Sequence, residues 1–281
     1  MAWFDDTYTF NKPSLRIAHV TDCHLFADRN AEYFGVNTAT YFQQALEHMA
    51  LQQLDAVVFG GDLTQDHSVE SYLLFSELIS NSTLTCPVFW LPGNHDEIAL
   101  LEQISGGQIK AAKRLVANNL TNNLTNNLTN NLTNNASTDI ELLLINSKGL
   151  TPAGWVTSEH LNEISDCLAQ PVSKQLVFCH HNPLPINGYL DKHMLENGPQ
   201  LLNTLVNNGN VAALIHGHVH NDYTQCFREL DIYATPASSV QFTKHSKAWQ
   251  QQNNGPAYRM LYINSSQGQV HINTDVIWLS A

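Results

Sequence analysis

The sequence predicts an α/β protein in which two β-sheets pack together and helices cover them on the outside. Strand-like and helix-like segments alternate as far as residue 216, and a run of segments with a hydrophobic period of two follows. Short polar segments rich in Asp, Asn and His also follow several of the apolar strands. Because 43% of the 281 residues are hydrophobic, the chain can build a sizeable core, and we predict a single domain over residues 1–281.

The first half of the chain alternates between buried strands and amphipathic helices. The strands are short apolar runs, and each helix repeats its apolar residues at intervals of three and four. Gly60-Gly61 and Pro92-Gly93 end two of the strands, since both dipeptides favour turns. The predicted strands are Leu15–Val20, Ala56–Phe59, 88–91 and 140–145, and the predicted helices are 38–53 and 69–79.

The second half begins with the same alternation and ends in strands. We predict a helix at Ser158–Leu168, with Ser158 as the candidate N-cap, followed by strands at 175–179 and 211–215. Beyond them the apolar period becomes two, which predicts antiparallel strands. These later strands are Tyr223–Phe227, 231–234, 258–263 and 270–279.

A low-complexity segment interrupts the chain at 118–135. It repeats Asn-Asn-Leu-Thr four times, from Asn118 to Thr133, and ends in two further Asn residues. Because Asn and Thr form helices poorly, we interpret the segment as a flexible insertion, with a short helix or a strand extension as the alternative. Each unit also matches the Asn-x-Thr glycosylation signal, which we interpret as accidental because no secretion signal precedes it.

The composition limits the partners and the location of the protein. The net charge of -12 and the pI of about 5.5 argue against a nucleic-acid partner, which needs a basic surface. They permit a phosphate-bearing small molecule if bound cations supply positive charge. The N-terminus does not resemble a signal peptide, no apolar run is long enough to cross a membrane, and the cysteines form no CxxC pair. We therefore expect a cytoplasmic protein without a membrane partner, and its oligomeric state is unknown.

Five short polar segments, each following a predicted strand, carry the candidate chemistry. Because ligands of open α/β sheets bind at the carboxyl ends of the strands, we expect these segments to meet in one crevice. Each alone could be an ordinary turn, but together they supply carboxylates, an amide and several imidazoles. The segments are Asp22-Cys23-His24, Gly60-Gly61-Asp62, Gly93-Asn94-His95-Asp96, His180-His181 and Gly217-His218-Val219-His220.

The donor atoms of these segments predict two metal ions. Residues two positions apart can point the same way, so Asp22 and His24 can reach one ion, and His218 and His220 are spaced in the same way. Imidazole and oxygen ligands together favour Mn, Fe, Zn or Co over Mg or Ca. The predicted ligands are Asp22, His24, Asp62, Asn94, His180, His218 and His220.

Two other histidines are excluded from the predicted ligands. Neighbouring residues on a strand face opposite ways, so we prefer His180 to His181. His216 ends its strand and is interpreted as a packing residue. Two ions about 3.5–4 Å apart would clamp a phosphate group and activate a bridging water.

His95 and Asp96 are the catalytic candidates. His95 directly follows the predicted ligand Asn94 and is free to act as a proton donor or as a cation near the leaving group. Asp96 could orient and charge the His95 ring. A solvated His–Asp pair in a Pro-Gly-Asn turn is the alternative.

The order of these segments, DxH, GD, GNHD, H and GHxH, resembles that of the calcineurin-like metallophosphoesterases over roughly residues 15–242. This resemblance implies a four-layer α-β-β-α sandwich and places His95 at the phosphate or at the leaving oxygen. Cys23 and Asn182 depart from the usual pattern, and neither is a predicted ligand. The resemblance implies one metal held by Asp22, His24, Asp62 and His220, and a second held by Asp62, Asn94, His180 and His218.

Segments that extend the first motif or lie between the motifs are similar to the bacterial class III cyclic-AMP phosphodiesterases; they lie at 21–28, 34–38, 189–197 and 234–242. This resemblance implies a binuclear Mn or Fe centre that hydrolyses 3′,5′-cyclic AMP to AMP by attack of a metal-bound hydroxide. The candidate substrate contacts are Asn94, His95, His193 and Asn197. A phosphodiesterase or phosphomonoesterase of broad specificity is one alternative, and a non-catalytic scaffold on the same fold is another.

Overall fold

A computed structural model of the protein describes residues 2–117, 140–170, 172, 174–207, 210–266 and 269–281. The insertion predicted at 118–135 lies outside these residues. The strands are β1 (Thr7–Phe10), β2 (Leu15–Val20), β3 (Glu32–Tyr33), β4 (Val36–Asn37), β5 (Ala56–Phe59), β6 (Val88–Trp90), β7 (Ile109–Lys110), β8 (Arg114–Ala117), β9 (Ile140–Leu144), β10 (Lys174–Cys179), β11 (Val211–His216), β12 (Tyr223–Phe227), β13 (Leu230–Ala234), β14 (Gln241–Phe242), β15 (Gln251–Gln252), β16 (Ala257–Ser266) and β17 (Gln269–Trp278). The α-helices are α1 (Thr38–Ala50), α2 (Val69–Asn81), α3 (Ile98–Ile104), α4 (Ser158–Leu168) and α5 (Gly198–Asn207), and a 3₁₀-helix covers Tyr189–His193.

The strands form two large sheets. The seven-stranded sheet has the order β1-β8-β9-β10-β11-β13-β12, and its central strands β9, β10, β11 and β13 run parallel. The six-stranded sheet has the order β17-β16-β2-β5-β6-β7, in which β2, β5, β6 and β7 run parallel. Two small hairpins, β3-β4 and β14-β15, lie outside these sheets. The carboxyl ends of five parallel strands, β2, β5, β6, β10 and β11, precede the five polar segments.

The two sheets pack face to face through apolar side chains. Ile17 and Val58 of the six-stranded sheet share a buried cluster with Leu142, Leu176 and Ile215 of the seven-stranded sheet. These residues belong to strands in which both faces are buried, which explains why the strands are almost continuously apolar.

Helices cover the outer face of each sheet. Phe42 of α1 and Phe75 of α2 pack in one buried cluster with Phe59 of the six-stranded sheet. Ile164 of α4 and Leu201 of α5 belong to a separate cluster with residues of the seven-stranded sheet. The layers therefore run helix, sheet, sheet, helix, which confirms the predicted four-layer α-β-β-α sandwich.

Most central elements agree with the sequence predictions, and the differences lie at their ends and at the sheet edges. The side chain of Thr157, not Ser158, accepts the hydrogen bond from the backbone N–H of His160 that caps α4, so the predicted N-cap was wrong by one residue. Short strands β1 and β8 and helices α3 and α5 were not predicted. Among the described residues, no helix is both long and apolar enough to span a membrane.

Candidate metal centre

The loops after the parallel strands are hydrogen-bonded to one another at the shared edge of the two sheets. The backbone N–H of Asp22 donates to the carbonyl of Gly61 at 3.0 Å, which joins the loops after β2 and β5. The N–H of Gly217 donates to the carbonyl of His180 at 3.1 Å in the other sheet. The N–H of His218 donates to Asp22 Oδ2 at 3.0 Å, so one bond spans the two sheets. The predicted crevice is therefore built from both sheets.

Several of the predicted ligands have left-handed backbone conformations. Asp and His tolerate this region better than most residues, but it still costs about 1 kcal/mol or more per position and is concentrated at functional sites. The conformation turns these side chains off the strand direction and into the crevice. The residues, with their φ angles, are Asp22 (55°), His24 (49°), Asp62 (52°), His218 (66°) and His220 (53°).

The donor atoms converge in overlapping groups. His220 Nε2 lies 3.3 Å from Asp22 Oδ1 and 3.0 Å from His24 Nε2. His180 Nε2 lies 3.3 Å from Asp62 Oδ2 and 4.0 Å from Asp22 Oδ1. Within each of the two groups, Asp22–His24–His220 and Asp22–Asp62–His180, one donor atom of every residue lies within 4.8 Å of the others. Because Asp22 belongs to both groups, the two sets are adjacent.

A third group contains His218 together with His180 and His181. We did not expect His181 here, because strand alternation should turn it away from His180. β10 ends at Cys179, so the alternation no longer applies to this pair. The Nδ1 of His181 contacts Ser147 Oγ at 2.9 Å, while its Nε2 is buried without a hydrogen-bond partner.

Backbone carbonyl groups orient two of the imidazole rings. His180 Nδ1 lies 2.8 Å from the carbonyl oxygen of Gly60, and His220 Nδ1 lies 2.6 Å from that of Val240. A proton on each Nδ1 leaves Nε2 with a free lone pair that points at the carboxylates. This arrangement is the usual way in which proteins fix the tautomer of a metal-binding histidine.

The electrostatic balance of the site favours cations. Burial alone would raise the pKa of Asp22, but the rings of His220 and His180 hold it below its ordinary value, and His180 acts on Asp62 in the same way. Burial, assisted by the neighbouring His220, lowers the pKa of His24 to about 3. Burial opposes charge on His180 too, but Asp62 and Asp22 outweigh it and raise its pKa to about 9. The two carboxylates are therefore held ionised, His24 is neutral, and His180 carries a proton that a metal ion bound at Nε2 would replace.

Unpaired buried atoms in the site also fit metal ions. Asp22 Oδ1, Asn94 Oδ1, His180 Nε2 and His218 Nε2 are buried without a hydrogen-bond partner. A buried polar atom that makes no hydrogen bond costs about 1–3 kcal/mol. Oxygen and imidazole nitrogen atoms gathered in this way are typical ligands of transition metals, which would satisfy all four atoms. The residues therefore fit the metal ions expected from the sequence.

Asp96 does not orient the His95 ring, which corrects the expectation from the sequence. Its carboxyl group accepts hydrogen bonds from the backbone N–H groups of Gly93 at 2.9 Å and Leu63 at 3.0 Å, and from the hydroxyl of Tyr72 at 3.3 Å. Burial, with the nearby charge of Asp62, raises its pKa to about 7. Asp96 therefore ties the loop after β6 to the loop after β5.

His95 lies beside the three groups of candidate metal ligands, Asp22–His24–His220, Asp22–Asp62–His180 and His180–His181–His218, which form the metal-ligand groups. Its backbone N–H donates to Asp62 Oδ1 at 2.8 Å, and its ring forms a further close group with His24 and Asp62. The ring stacks on that of His67 with centroids 5.4 Å apart, and Nδ1 of His95 has no hydrogen-bond partner. Burial lowers the pKa of His95, so the ring is neutral at neutral pH.

Gly93 is required by the close approach of Asp62. A Cβ atom at position 93 would lie 2.1 Å from Asp62 Oδ1 and 2.4 Å from its backbone nitrogen. Neither group can move without disturbing the metal-ligand groups. The glycine before Asn94 is thus a requirement of the site and not only the end of a strand.

The ligand groups form the floor of an open pocket of about 220 Å³, which His193 and His95 line. Asn197, the other substrate contact suggested by the sequence, is not brought to this pocket. It is buried, its Oδ1 accepts from the N–H of Val156 at 3.1 Å, and its Nδ2 donates to the carbonyl of Val156 at 2.7 Å. Both ends of the Asn197 amide are thus used within the protein.

Several residues near the site were not singled out in the sequence. Lys148 Nζ donates to the carbonyl oxygen of Asn94 at 3.0 Å and so supports the loop that carries His95. Tyr33 and Trp249 line the pocket beside the histidines, as does Phe242, the last residue of the segment 234–242 that resembles the cyclic-AMP phosphodiesterases. No motif or periodicity distinguishes Lys148, Tyr33 or Trp249, because they come from loops and small hairpins whose position depends on the whole fold.

Comparisons with known proteins agree with the fold and with the family that the sequence resembles. A family model described as calcineurin-like phosphoesterase matches residues 15–222. The chain is 66% identical over 280 residues to a probable cyclic nucleotide phosphodiesterase of Pseudoalteromonas sp. (strain SM9913), which covers 100% of both chains. It is 30% identical over 264 residues to the 3′,5′-cyclic adenosine monophosphate phosphodiesterase CpdA of Haemophilus influenzae, covering 92% of this chain and 89% of the relative.

A solved structure is similar in its fold. The chain superimposes on a dimetal phosphatase from Danio rerio with a TM-score of 0.60 and 12% sequence identity, covering 92% of this chain and 98% of the other. At this identity the similarity concerns the architecture alone, and it agrees with the four layers described above.

Proposed function

The chain belongs to the calcineurin-like phosphoesterase family, and from that premise we propose that it is a metal-dependent phosphodiesterase that hydrolyses 3′,5′-cyclic AMP to AMP. The names of its relatives, a probable cyclic nucleotide phosphodiesterase and a cyclic AMP phosphodiesterase, support the choice of substrate. The substrate is a small molecule, consistent with a pocket of about 220 Å³. We further propose that the protein acts in the cytoplasm.

The observation that carries the proposal is the convergence of carboxylates and imidazoles from both sheets within 4.8 Å in each group. Adjacent groups that share a carboxylate suit two metal ions, and mixed nitrogen and oxygen donors suit Mn or Fe, with Zn or Co as alternatives. The predicted ligands that would hold the ions are Asp22, His24, Asp62, Asn94, His180, His218 and His220.

The metal ions would polarise the phosphate oxygens and supply an activated water. The chain's own residues then position the substrate. Asn94 presents its amide oxygen at the pocket floor, and His95, neutral and held beside Asp62, donates a hydrogen bond to the phosphate or relays the proton of the water to the leaving 3′ oxygen. The P–O3′ bond breaks, the water oxygen bonds to phosphorus, and its proton passes to the 3′ oxygen, which gives 5′-AMP.

A substrate panel with controlled metal content tests the proposal. Protein stripped of metal and reloaded separately with Mn, Fe, Zn or Mg is assayed on 3′,5′-cyclic AMP, 2′,3′-cyclic AMP, bis(4-nitrophenyl) phosphate and 4-nitrophenyl phosphate. We expect the highest kcat/KM on 3′,5′-cyclic AMP with Mn or Fe. Much faster turnover of the nitrophenyl esters would indicate a broad phosphoesterase instead. No turnover of any ester with any metal would indicate a non-catalytic scaffold.

A further inference from the structure

Tyr33, Phe242 and Trp249 form an aromatic wall along one side of the metal-ligand groups. The ring of Tyr33 stacks on His24 with centroids 4.7 Å apart and an interplanar angle of 21°. The ring of Phe242 stacks on His220 with centroids 4.2 Å apart at 26°. Because the Nε2 atoms of His24 and His220 are 3.0 Å apart, these two aromatic rings lie near the same part of the site. The wall therefore starts directly at the metal ligands and continues outward.

Trp249 forms the outer end of this wall. Its ring lies 4.5 Å from Phe242, 5.7 Å from Phe34 and 5.2 Å from Tyr189, measured between centroids, and all three rings meet it at angles of 47° or more. These neighbours hold the indole without stacking flat against it. The residue remains 40% exposed and lines the same pocket as the histidines, so indole surface is left available to a ligand.

The backbone that carries Trp249 is fixed in place. Trp249 lies two residues before β15 in a hairpin whose other strand is β14, and the N–H of Thr243 donates to the carbonyl of its neighbour Gln250 at 2.8 Å. The N–H of Tyr189 donates to the carbonyl of Ser246 at 2.8 Å and anchors the hairpin to the 3₁₀-helix. A tryptophan that is both exposed and preorganised needs little ordering when a flat ligand binds it.

We propose that Trp249 is the base-stacking residue of the substrate pocket and binds the purine ring of the nucleotide while the phosphate lies at the metal-ligand groups. This inference rests on the proposed function in that it assumes a nucleotide substrate. A purine is a flat π-system, and stacking on an aromatic side chain is tolerant of base identity because every base has a π-face. Trp249 thus provides affinity for a purine nucleotide without distinguishing adenine from guanine.

Binding of two related phosphate monoesters tests Trp249 without turnover. Calorimetry on the Mn-loaded protein compares 5′-AMP with ribose 5-phosphate, which lacks the base. We expect wild-type protein to bind AMP about tenfold or more tightly than ribose 5-phosphate, the size that base stacking typically contributes. Trp249→Leu, which keeps an apolar side chain under the hairpin, should abolish this preference, and Trp249→Phe should retain most of it.

The matched control is Trp278→Ala, because Trp278 is 41% exposed and lies on the edge strand β17, outside the pocket. It should keep the wild-type preference for AMP.

In steady-state kinetics, Trp249→Leu should raise KM for cyclic AMP about tenfold and change kcat by less than about twofold, since stacking acts on binding rather than on the reacting bonds.

The outcomes separate the two proposals. An unchanged preference for AMP in Trp249→Leu, or equal binding of AMP and ribose 5-phosphate by wild-type protein, would overturn the role of Trp249. If wild-type protein prefers AMP through Trp249 but does not hydrolyse cyclic AMP, the proposed reaction is wrong and the base site stands. Should Trp249→Leu fail to fold, the AMP preference of Trp249→Ala, together with that of Trp249→Phe, decides the question.

Discussion

Asp62 links several parts of the site through one carboxylate. Oδ1 accepts the hydrogen bond from the backbone N–H of His95 at 2.8 Å, and Oδ2 lies 3.3 Å from His180 Nε2 in the other sheet. Gly93 leaves the space that this side chain occupies. The position of the catalytic candidate His95 is therefore coupled to the metal ligands through both its backbone and its ring.

At this scale we predict that His95→Ala lowers kcat/KM for cyclic AMP about 100-fold or more, because a positioned proton donor typically contributes a factor of that size. His67→Ala, which removes the exposed ring stacked on His95, serves as the control and should cost less than about tenfold. Steady-state kinetics, metal content and thermal melting are compared for both variants. Wild-type turnover by a metal-loaded His95→Ala protein would rule out the proposed role.

The sequence predicted the candidate metal ligands of the site better than it predicted the hydrogen bonds between the surrounding loops. Asp22, His24, Asp62, His180, His218 and His220 could be selected because each follows an apolar strand, and the fold brings them together. Asp96 was assigned to the His95 ring because the two are adjacent in sequence. Its hydrogen bonds to Gly93 and Leu63 depend on how two loops meet, and no local pattern encodes that meeting.

At the scale of elements, a buried polar link joins three neighbouring strands of the seven-stranded sheet. Glu141 of β9 is fully buried, pairs with Arg114 of β8 and accepts a hydrogen bond from Gln175 Nε2 of β10 at 2.7 Å. Glu141 and Gln175 are each the second residue of their strand, whereas His180 follows the end of β10. The link thus holds the sheet together at a distance from the site.

We predict that Glu141→Leu lowers the free energy of unfolding by about 3 kcal/mol, because it leaves the partly buried guanidinium of Arg114 unpaired and removes one of the two acceptors of the Gln175 amide. Urea denaturation of metal-loaded protein measures the change. The double variant Glu141→Leu with Arg114→Met should recover part of the loss, since no unpaired cation remains. Equal stability of Glu141→Leu and wild-type protein would contradict the structural role of the link.

Central elements could be predicted from the sequence because both faces of their strands are buried. β2 and β5 have the predicted bounds, and β6 and β9 end one residue earlier than predicted. β1, at the edge of the seven-stranded sheet, and β8 beside it are each four residues long, so their periodicity is too short to recognise. Their pairing is set by long-range contacts.

At the scale of the whole molecule, the metal-ligand groups join the two sheets. Asp22 and Asp62 follow strands of the six-stranded sheet, and His180, His218 and His220 follow strands of the seven-stranded sheet. A ligand that binds only where these loops meet binds the folded chain and not the unfolded one. Metal binding at these groups would therefore stabilise the packing of one sheet on the other.

We predict that removing metal with a chelator lowers the melting temperature, and that Mn restores it. A metal at 100 times its dissociation constant should contribute about 2.7 kcal/mol. Mg should restore less than Mn at the same concentration, because it disfavours imidazole ligands. Differential scanning calorimetry measures the shift independently of activity. Identical melting with and without metal would show that the groups do not bind it.

The ends of the low-complexity segment also bear on the whole molecule. Ala117 at the end of β8 pairs with Ile140 at the start of β9, so the chain leaves and re-enters the sheet at neighbouring positions. None of the five polar segments lies between them. Six residues, 134–139, would still connect the two strands if residues 118–133 were absent, and hairpin connections of similar length are common.

We predict that deleting residues 118–133 changes kcat/KM for cyclic AMP by less than about twofold, because a longer or shorter connection mainly alters the entropy of loop closure. A variant in which the same residues are replaced by an equally long Gly-Ser sequence controls for length. Kinetics and thermal melting are measured for both. A tenfold loss of activity in both variants would show that the repeat contributes to catalysis, whereas a loss in the deletion alone would show that the length of the connection matters.

The strand order has a consequence for biosynthesis. β2, which precedes the candidate ligands Asp22 and His24, lies between β5 and β16 in the six-stranded sheet, and β16 begins only at Ala257. During translation β2 leaves the ribosome early, but one of its two neighbours appears only when the chain is almost complete. A prematurely terminated chain would therefore expose an unpaired strand edge, which is prone to aggregation, rather than yield a less active enzyme.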